Sequence, residues 1–304
     1  MNGKGVTTAF FAYVFWGFLP VYWKLLDGVV SEEILAHRII WSFVFVMLLI
    51  SLTSGYSSLK HTIRQLRSNG RMTLLLLLSS IFISLNWFVY IWAVNHNQVL
   101  ATSLGYYINP LISVGLGFLF LRERMTKVQS FAVGVAAVGV GFFTVSYGEV
   151  PWVSLLLALS FGFYALTKKL TKLSTLQGLL LETFFVVPIA IVYEGYSIVY
   201  QQSSFYPISL NDTLLLIGGG IVTAIPLLLF SKGAQTIPLY MIGILQYTAP
   251  TIAFLLGIFV YNEPFTKIEL VTFSLIWIAV VVFLTSQFRE IRKVKLTKEV
   301  VQKV

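Results

Sequence analysis

Ten apolar segments of membrane-spanning length fill this chain, and the last five repeat the first five. A bilayer core of roughly 30 Å takes about 20 mostly apolar residues per helix. Runs of that kind occupy 6–23, 34–52, 72–93, 100–121 and 128–146, then 152–167, 176–192, 214–230, 239–260 and 268–286. Five crossings is an odd number, so the second copy sits upside down relative to the first, as in the inverted repeats of secondary transporters. The expected fold is all-α and integral to the membrane, with ten transmembrane helices. Residues 1–148 and 149–288 form the two inverted five-helix repeats and 289–304 a basic tail.

The repeat rests on identities that hydrophobicity alone does not produce. At an offset of 145, Gly17, Phe18, Lys24, Leu25 and Leu35 meet Gly162, Phe163, Lys169, Leu170 and Leu180. At an offset of 140, Tyr107, Pro110, Ile112, Leu116, Gly117, Glu123, Thr126 and Lys127 meet Tyr247, Pro250, Ile252, Leu256, Gly257, Glu263, Thr266 and Lys267. Thr126 with Gln129, and Thr266 with Glu269, fit the capping box that satisfies open N–H groups at a helix start. Such groups cannot stay unpaired in a membrane, so these segments are read as helix boundaries.

With 57% hydrophobic and 11% charged residues in 304, and a mean hydropathy of +0.85, the spans leave no room for a separate soluble catalytic domain. The first run is too long for a signal-peptide core, and no small-residue cleavage site precedes the charged segment 27–33, so it is read as a retained helix. Zero cysteines exclude disulfides, a thiol nucleophile and Cys-ligated metal. The net charge of +9 reflects orientation. With a cytoplasmic N-terminus, 18 of the 21 Lys and Arg residues fall on the cytoplasmic side, and Lys24, Arg38 and Lys267 are the exceptions. The positive-inside rule then puts both termini in the cytoplasm of a multi-pass protein of the cell membrane. No nucleic-acid partner is implied. The tail is read as solvated, with anionic lipid headgroups as the alternative contact.

Polar groups at membrane depth are the candidate functional residues. Glu182 sits about 9 Å into its helix at 1.5 Å per residue, and either exchanges a proton or pairs structurally with Lys168 or a backbone group. His37 stands opposite it in the repeat and is the second proton-coupling candidate. Arg38 either binds an anionic or carbonyl-bearing solute through its planar fork or snorkels to the outer headgroups. His61 and His96 are assigned to solvated loops. Pro110 and Pro250 interrupt equivalent helices, each three residues after a tyrosine, and paired interruptions point to a central site. Its expected walls are Tyr106, Tyr107, Asn109, Gln246 and Tyr247, with Trp16, Asn86 and Tyr90; plain core or interface packing is the alternative for each ring. Ser113 with Gly117, and Ala137 with Gly141, have the spacing of close helix contacts, within a monomer or across a homodimer.

The strings AYVFWGFLPVYWK (12–24), EILAHRIIWS (33–42), SLNWFVYIWAVN (84–95), SLGYYINPL (103–111) and RERMTKVQ (122–129) resemble the RarD group of the drug/metabolite transporter superfamily, also described as EamA-type transporters. The resemblance covers the whole chain, more closely in its first half. It implies ten helices in two inverted repeats, in the cytoplasmic membrane, exporting small metabolites or drugs; the group's name is linked to chloramphenicol sensitivity.

No enzyme activity is expected. The run Gly218, Gly219, Gly220 lacks the lysine of a phosphate-binding loop and is read as close packing, and no HExxH, carboxylate pair or Ser/His/Asp set is present. The expected function is alternating-access transport of a small-molecule solute among membrane lipids, without cofactor or metal. Proton exchange through Glu182 is the expected coupling, with uncoupled facilitated diffusion as the alternative. An integral membrane enzyme acting on a lipid-linked substrate is the alternative class.

Overall fold

The computed structural model describes residues 3–52, 56–122, 126–171, 173–200, 210–234 and 245–301. Among them every regular element is a helix: α1 (Gly3–Gly17), α2 (Leu19–Lys24), α3 (Ser31–Leu52), α4 (Tyr56–Ser68), α5 (Gly70–Asn95), α6 (Val99–Leu121), α7 (Lys127–Tyr147), α8 (Trp152–Thr171), α9 (Thr175–Val199), α10 (Leu210–Ala234), α11 (Thr248–Phe259) and α12 (Lys267–Val301). Eight stretches are long and apolar enough to cross a membrane, and Trp152–Lys168 and Thr248–Phe259 are shorter apolar helices. The chain is thus an all-helical, multi-pass membrane protein. Residues 239–244 of the ninth expected span, and Glu123 of the repeat, lie outside the described residues.

Large apolar side chains such as Leu48, Val138, Ile189 and Phe259 face outward, as expected where lipid is the solvent. Lipid tails are as apolar as leucine, so helix association draws on close packing and interhelical hydrogen bonds. Both occur here. Ser154 Oγ donates to the Ala101 carbonyl at 2.7 Å and Ser103 Oγ to the Pro250 carbonyl at 2.7 Å. The glycine run packs as its composition suggests, with Gly220 against the α3 backbone at Trp41 and Ser42. Helix α1 packs on α10 and α11, α3 on α9 and α10, α5 on α8 and α9, α6 on α8 and α11, and α7 on α12.

Local geometry recurs at the repeat spacing. A Cβ on Gly17 would lie 2.7 Å from Ile252 Cβ, and one on Gly162 would lie 3.0 Å from Ile112 Cγ2; both contacts pair the same two repeat positions. Arg122 (φ 55°) and Asn262 (φ 51°), 140 residues apart, both take the left-handed conformation just before a capping box. Gln129 N donates to Thr126 Oγ1 at 3.2 Å while Thr126 N donates to Gln129 Oε1 at 2.9 Å. The twin pair, Thr266 with Glu269, closes at 2.6 and 3.4 Å.

Two details depart from the sequence reading, the helical settings of His61 and of the basic tail, and the placements of His96 and of the Ala137 and Gly141 pair refine it. His61 is exposed on α4, an amphipathic helix that buries Leu59, Thr62 and Leu66 and presents Lys60, Arg64 and Arg67 outward. Its alternation of basic and apolar residues suits an interfacial helix. His96 is exposed at the end of α5, its ring stacked on Trp92 at 4.1 Å. The described part of the basic tail continues α12 as helix to Val301. Ala137 and Gly141 face outward, not into the bundle.

Candidate solute-binding site

Arg38 is the eighth residue of α3, and its guanidinium turns inward. It is 5% exposed and lies against two indoles, with Cζ 5.1 Å from the Trp23 ring centroid and 4.3 Å from that of Trp87. Helix α2 supplies Trp23 and α5 supplies Trp87, so three elements converge on one cation. Indole faces attract a guanidinium more strongly when water is excluded, but they accept no in-plane hydrogen bond. Nε and Nη1 are buried and have no hydrogen-bond partner among the described residues. The phenols of Tyr90 and Tyr106 are the neighbouring polar groups, with ring centroids 5.7 Å apart. The inward turn is not the headgroup-facing geometry of a snorkelling arginine.

The expected pocket residues divide between this cluster and other roles. Tyr107 and Tyr247, repeat mates, stack on one another at 6.0 Å and 19°, and Tyr107 OH shares a 2.7 Å hydrogen bond with Thr251 Oγ1. Pro110 lies inside the continuous helix α6, whereas Pro250 sits in the first turn of α11, directly after the turn at Gln246 and Tyr247. The break on that side therefore precedes the proline. Asn109 Oδ1 and Tyr247 OH are buried without a hydrogen-bond partner among the described residues. Trp16 packs edge-on against Tyr13 at 5.3 Å and beside Phe230 of α10 at 5.6 Å. Asn86 is occupied elsewhere: its Nδ2 donates to the Leu157 carbonyl and to Ser160 Oγ, both at 3.0 Å, which ties α5 to α8.

Two buried carboxylates lie on α9. Glu182, 1% exposed, has Oε1 3.1 Å from Lys168 Nζ and accepts Ser79 Oγ at 2.6 Å; its Oε2 accepts the Tyr164 phenol at 3.3 Å. Twelve residues further, about 18 Å along the helix at 1.5 Å per residue, Glu194 lies 3.4 Å from His37 Nε2. Trp41 Nε1 donates to His37 Nδ1 at 3.2 Å, which directs the Nε2 proton toward that carboxylate. Glu33, His37 and Glu194 offer ligand atoms within 4.8 Å of one another, so this group has the donors to hold a cation or share a proton. The expected span ended at 192, and only the longer α9 brings Glu194 into the bundle.

Glu263 lies on the connection between α11 and α12 and accepts the N–H groups of Val99 and Leu100 at 2.6 and 2.8 Å, capping α6. Burial pushes its carboxyl above the usual carboxylate range, against the downward pull of those two donors and of Lys24. A polar cleft of about 500 Å³ opens at the α4 end of the bundle between Thr62, Asn69, Thr171 and Gln177. An apolar groove of about 730 Å³ runs beside it, lined by Phe43, Met47, Leu74, Leu181 and Phe184. Neither contains Arg38.

Residues 3–145 match the EamA-like transporter family. The chain is 50% identical to an uncharacterized transporter, YojE, of Bacillus subtilis over 94% of this chain and 95% of that one. It is 40% identical to protein RarD of Escherichia coli over 92% of this chain and 93% of the relative. A crystal structure of another protein, 16% identical, superposes with a TM-score of 0.57 over 93% of this chain and 98% of that one, a likeness of fold alone. The repeat motifs, the all-helical membrane fold and these relatives agree that the chain belongs to the RarD group of the EamA-like transporter family.

Proposed function

We propose that this chain is a secondary transporter of the cell membrane that exports small metabolites or drugs by alternating access around Arg38. Residues 1–148 and 149–288 act as two inverted five-helix repeats, with the tail 289–304 and both termini in the cytoplasm. Exchanging α1 with α8, α3 with α9, α5 with α10, α6 with α11 and α7 with α12 converts each main packing pair of the bundle into another such pair or into itself, which supports the repeat. The observation that carries the function is the inward, 5% exposed Arg38 guanidinium with two nitrogens unpaired among the described residues. A buried charge without a hydrogen-bonded partner is costly, so such a cation suits a site whose partner arrives with the solute.

Trp16, Tyr90, Tyr106, Tyr107, Asn109, Gln246 and Tyr247 serve as the walls, Pro110 and Pro250 as the points where α6 and α11 yield, and Asn86 as the strut that holds α5 on α8. Proton exchange runs through Glu182, where protonation competes with Lys168 for the carboxylate, and through His37 with Glu194. The test is flux in proteoliposomes. A panel of labelled solutes is offered with and without a pH gradient, and at least one is expected to accumulate against its gradient when a proton gradient is imposed. Chemical conversion without flux overturns the proposal, and a C-terminal reporter active outside the cell overturns the topology.

A further inference from the structure

We propose that the solute bound at Arg38 is an organic monocarboxylate with a flat apolar body, held by its carboxylate on the guanidinium edge and by its body among the surrounding rings. The proposal rests on the transporter reading for the solute's route, and deepens it by naming the solute's chemistry.

Trp23 and Trp87 both lie against the guanidinium, at 5.1 and 4.3 Å from Cζ. Such ring contacts accept no in-plane hydrogen bond and so leave the N–H donors of arginine to other partners. Nε and Nη1, buried and without a hydrogen-bond partner among the described residues, are donors that an acceptor arriving with the solute would satisfy. Two-oxygen planar anions match an arginine fork. The buried carboxylates of the bundle gather elsewhere, Glu194 and Glu33 around His37 and Glu182 on Lys168. Arg38 is the only buried Lys or Arg among the described residues, which suits one negative charge better than two. Trp23, Trp87, Tyr90 and Tyr106 supply aromatic surface for the rest of the solute, and two phenols supply further donors. Among the described residues no carboxylate lies within ion-pair distance of Arg38, so a zwitterion would bring its ammonium beside this cation without a paired counter-charge.

The experiment measures equilibrium binding to the purified full-length chain by quenching of tryptophan fluorescence. Phenylacetate is compared with its neutral analogue 2-phenylethanol, with phenylphosphonate at a pH where it is dianionic, and with phenylalanine as the zwitterion. Phenylacetate is expected to bind about 10- to 100-fold more tightly than the alcohol, the range of a charge-assisted hydrogen-bond pair, and more tightly than the phosphonate and the zwitterion. Arg38→Lys should remove most of the acid-over-alcohol preference. Absence of phenylacetate binding, equal binding of acid and alcohol, or preference for the phosphonate or the amino acid overturns the proposal. These comparisons use the unmodified chain and do not depend on the variant folding. The transporter reading fails separately, through absence of flux in liposomes when binding is intact; flux of neutral solutes without acid preference defeats the carboxylate proposal alone.

Discussion

Replacing Glu182 by Gln keeps the shape of the side chain and removes its charge, and the structure sets the cost. Ser79 keeps an acceptor oxygen, and the Tyr164 phenol accepts from the new amide, so the loss is confined to the 3.1 Å pair with Lys168. Stranding one member of a buried ion pair costs about 3–5 kcal/mol. Here the stranded group is Lys168, whose side chain is 22% exposed and reaches water. The expected destabilisation is therefore smaller, about 1–2 kcal/mol. Lys168→Met strands the 1% exposed carboxylate instead and should approach the full ~3–5 kcal/mol. Gly178→Ala supplies a third case, because its Cβ would occupy the space of Lys168 Nζ one turn before Glu182 and displace the ammonium without touching the acid.

The assay reads the fraction of monodisperse protein surviving a temperature series in detergent, alongside pH-driven accumulation in proteoliposomes. The expected order of stability is wild type, then Glu182→Gln, then Lys168→Met. Glu182→Gln should lose uphill accumulation and keep passive exchange. A Glu182→Gln variant that concentrates solute normally refutes the coupling role, and one less stable than Lys168→Met refutes the pairing energetics.

Three further outcomes follow from packing. Gly17→Ala and Gly162→Ala should each destabilise the bundle by about 1–3 kcal/mol through overpacking, measured by the same thermal assay. Gly17 should cost more, because its new Cβ meets the backbone-anchored Ile252 Cβ at 2.7 Å while that at Gly162 first meets the rotatable Leu116 Cδ1 at 2.9 Å. Asn86→Ala should lower stability by about 1–3 kcal/mol, since the Leu157 carbonyl and Ser160 lose a buried donor. Glu263→Gln should cost about 1–2 kcal/mol, because one neutral oxygen replaces two charged acceptors at the start of α6.

Much of the frame was legible in the sequence, because membrane spans and caps are written locally. The Thr126 and Thr266 boxes and the Gly17 and Gly162 equivalence can each be read from spacing, whereas Lys168 was only one of the alternatives open for Glu182. The site was legible only in part. Arg38 stood out as a charged group on a span, but its ring contacts draw Trp23 and Trp87 from 15 and 49 residues away in sequence, a juxtaposition that helix periodicity does not encode. Glu194 was missed because the apolar run weakens after 192, although α9 continues to Val199. Asn86 was read as a pocket wall, and its partners on α8 are set by a helix rotation that spacing does not give. The break before Pro250 falls at Gln246 and Tyr247, where proline spacing alone puts it at the proline.

Alternating access around Arg38 makes the same cluster open to each side of the membrane in turn, and the absence of native cysteine gives a clean background for measuring it. Tyr106, beside the Arg38 cluster, is changed to Cys in the full chain, and a membrane-impermeant thiol reagent is applied from one side or the other of oriented vesicles. The account predicts labelling from both sides, with phenylacetate slowing each reaction. Labelling from one side only, whatever solute is present, contradicts it.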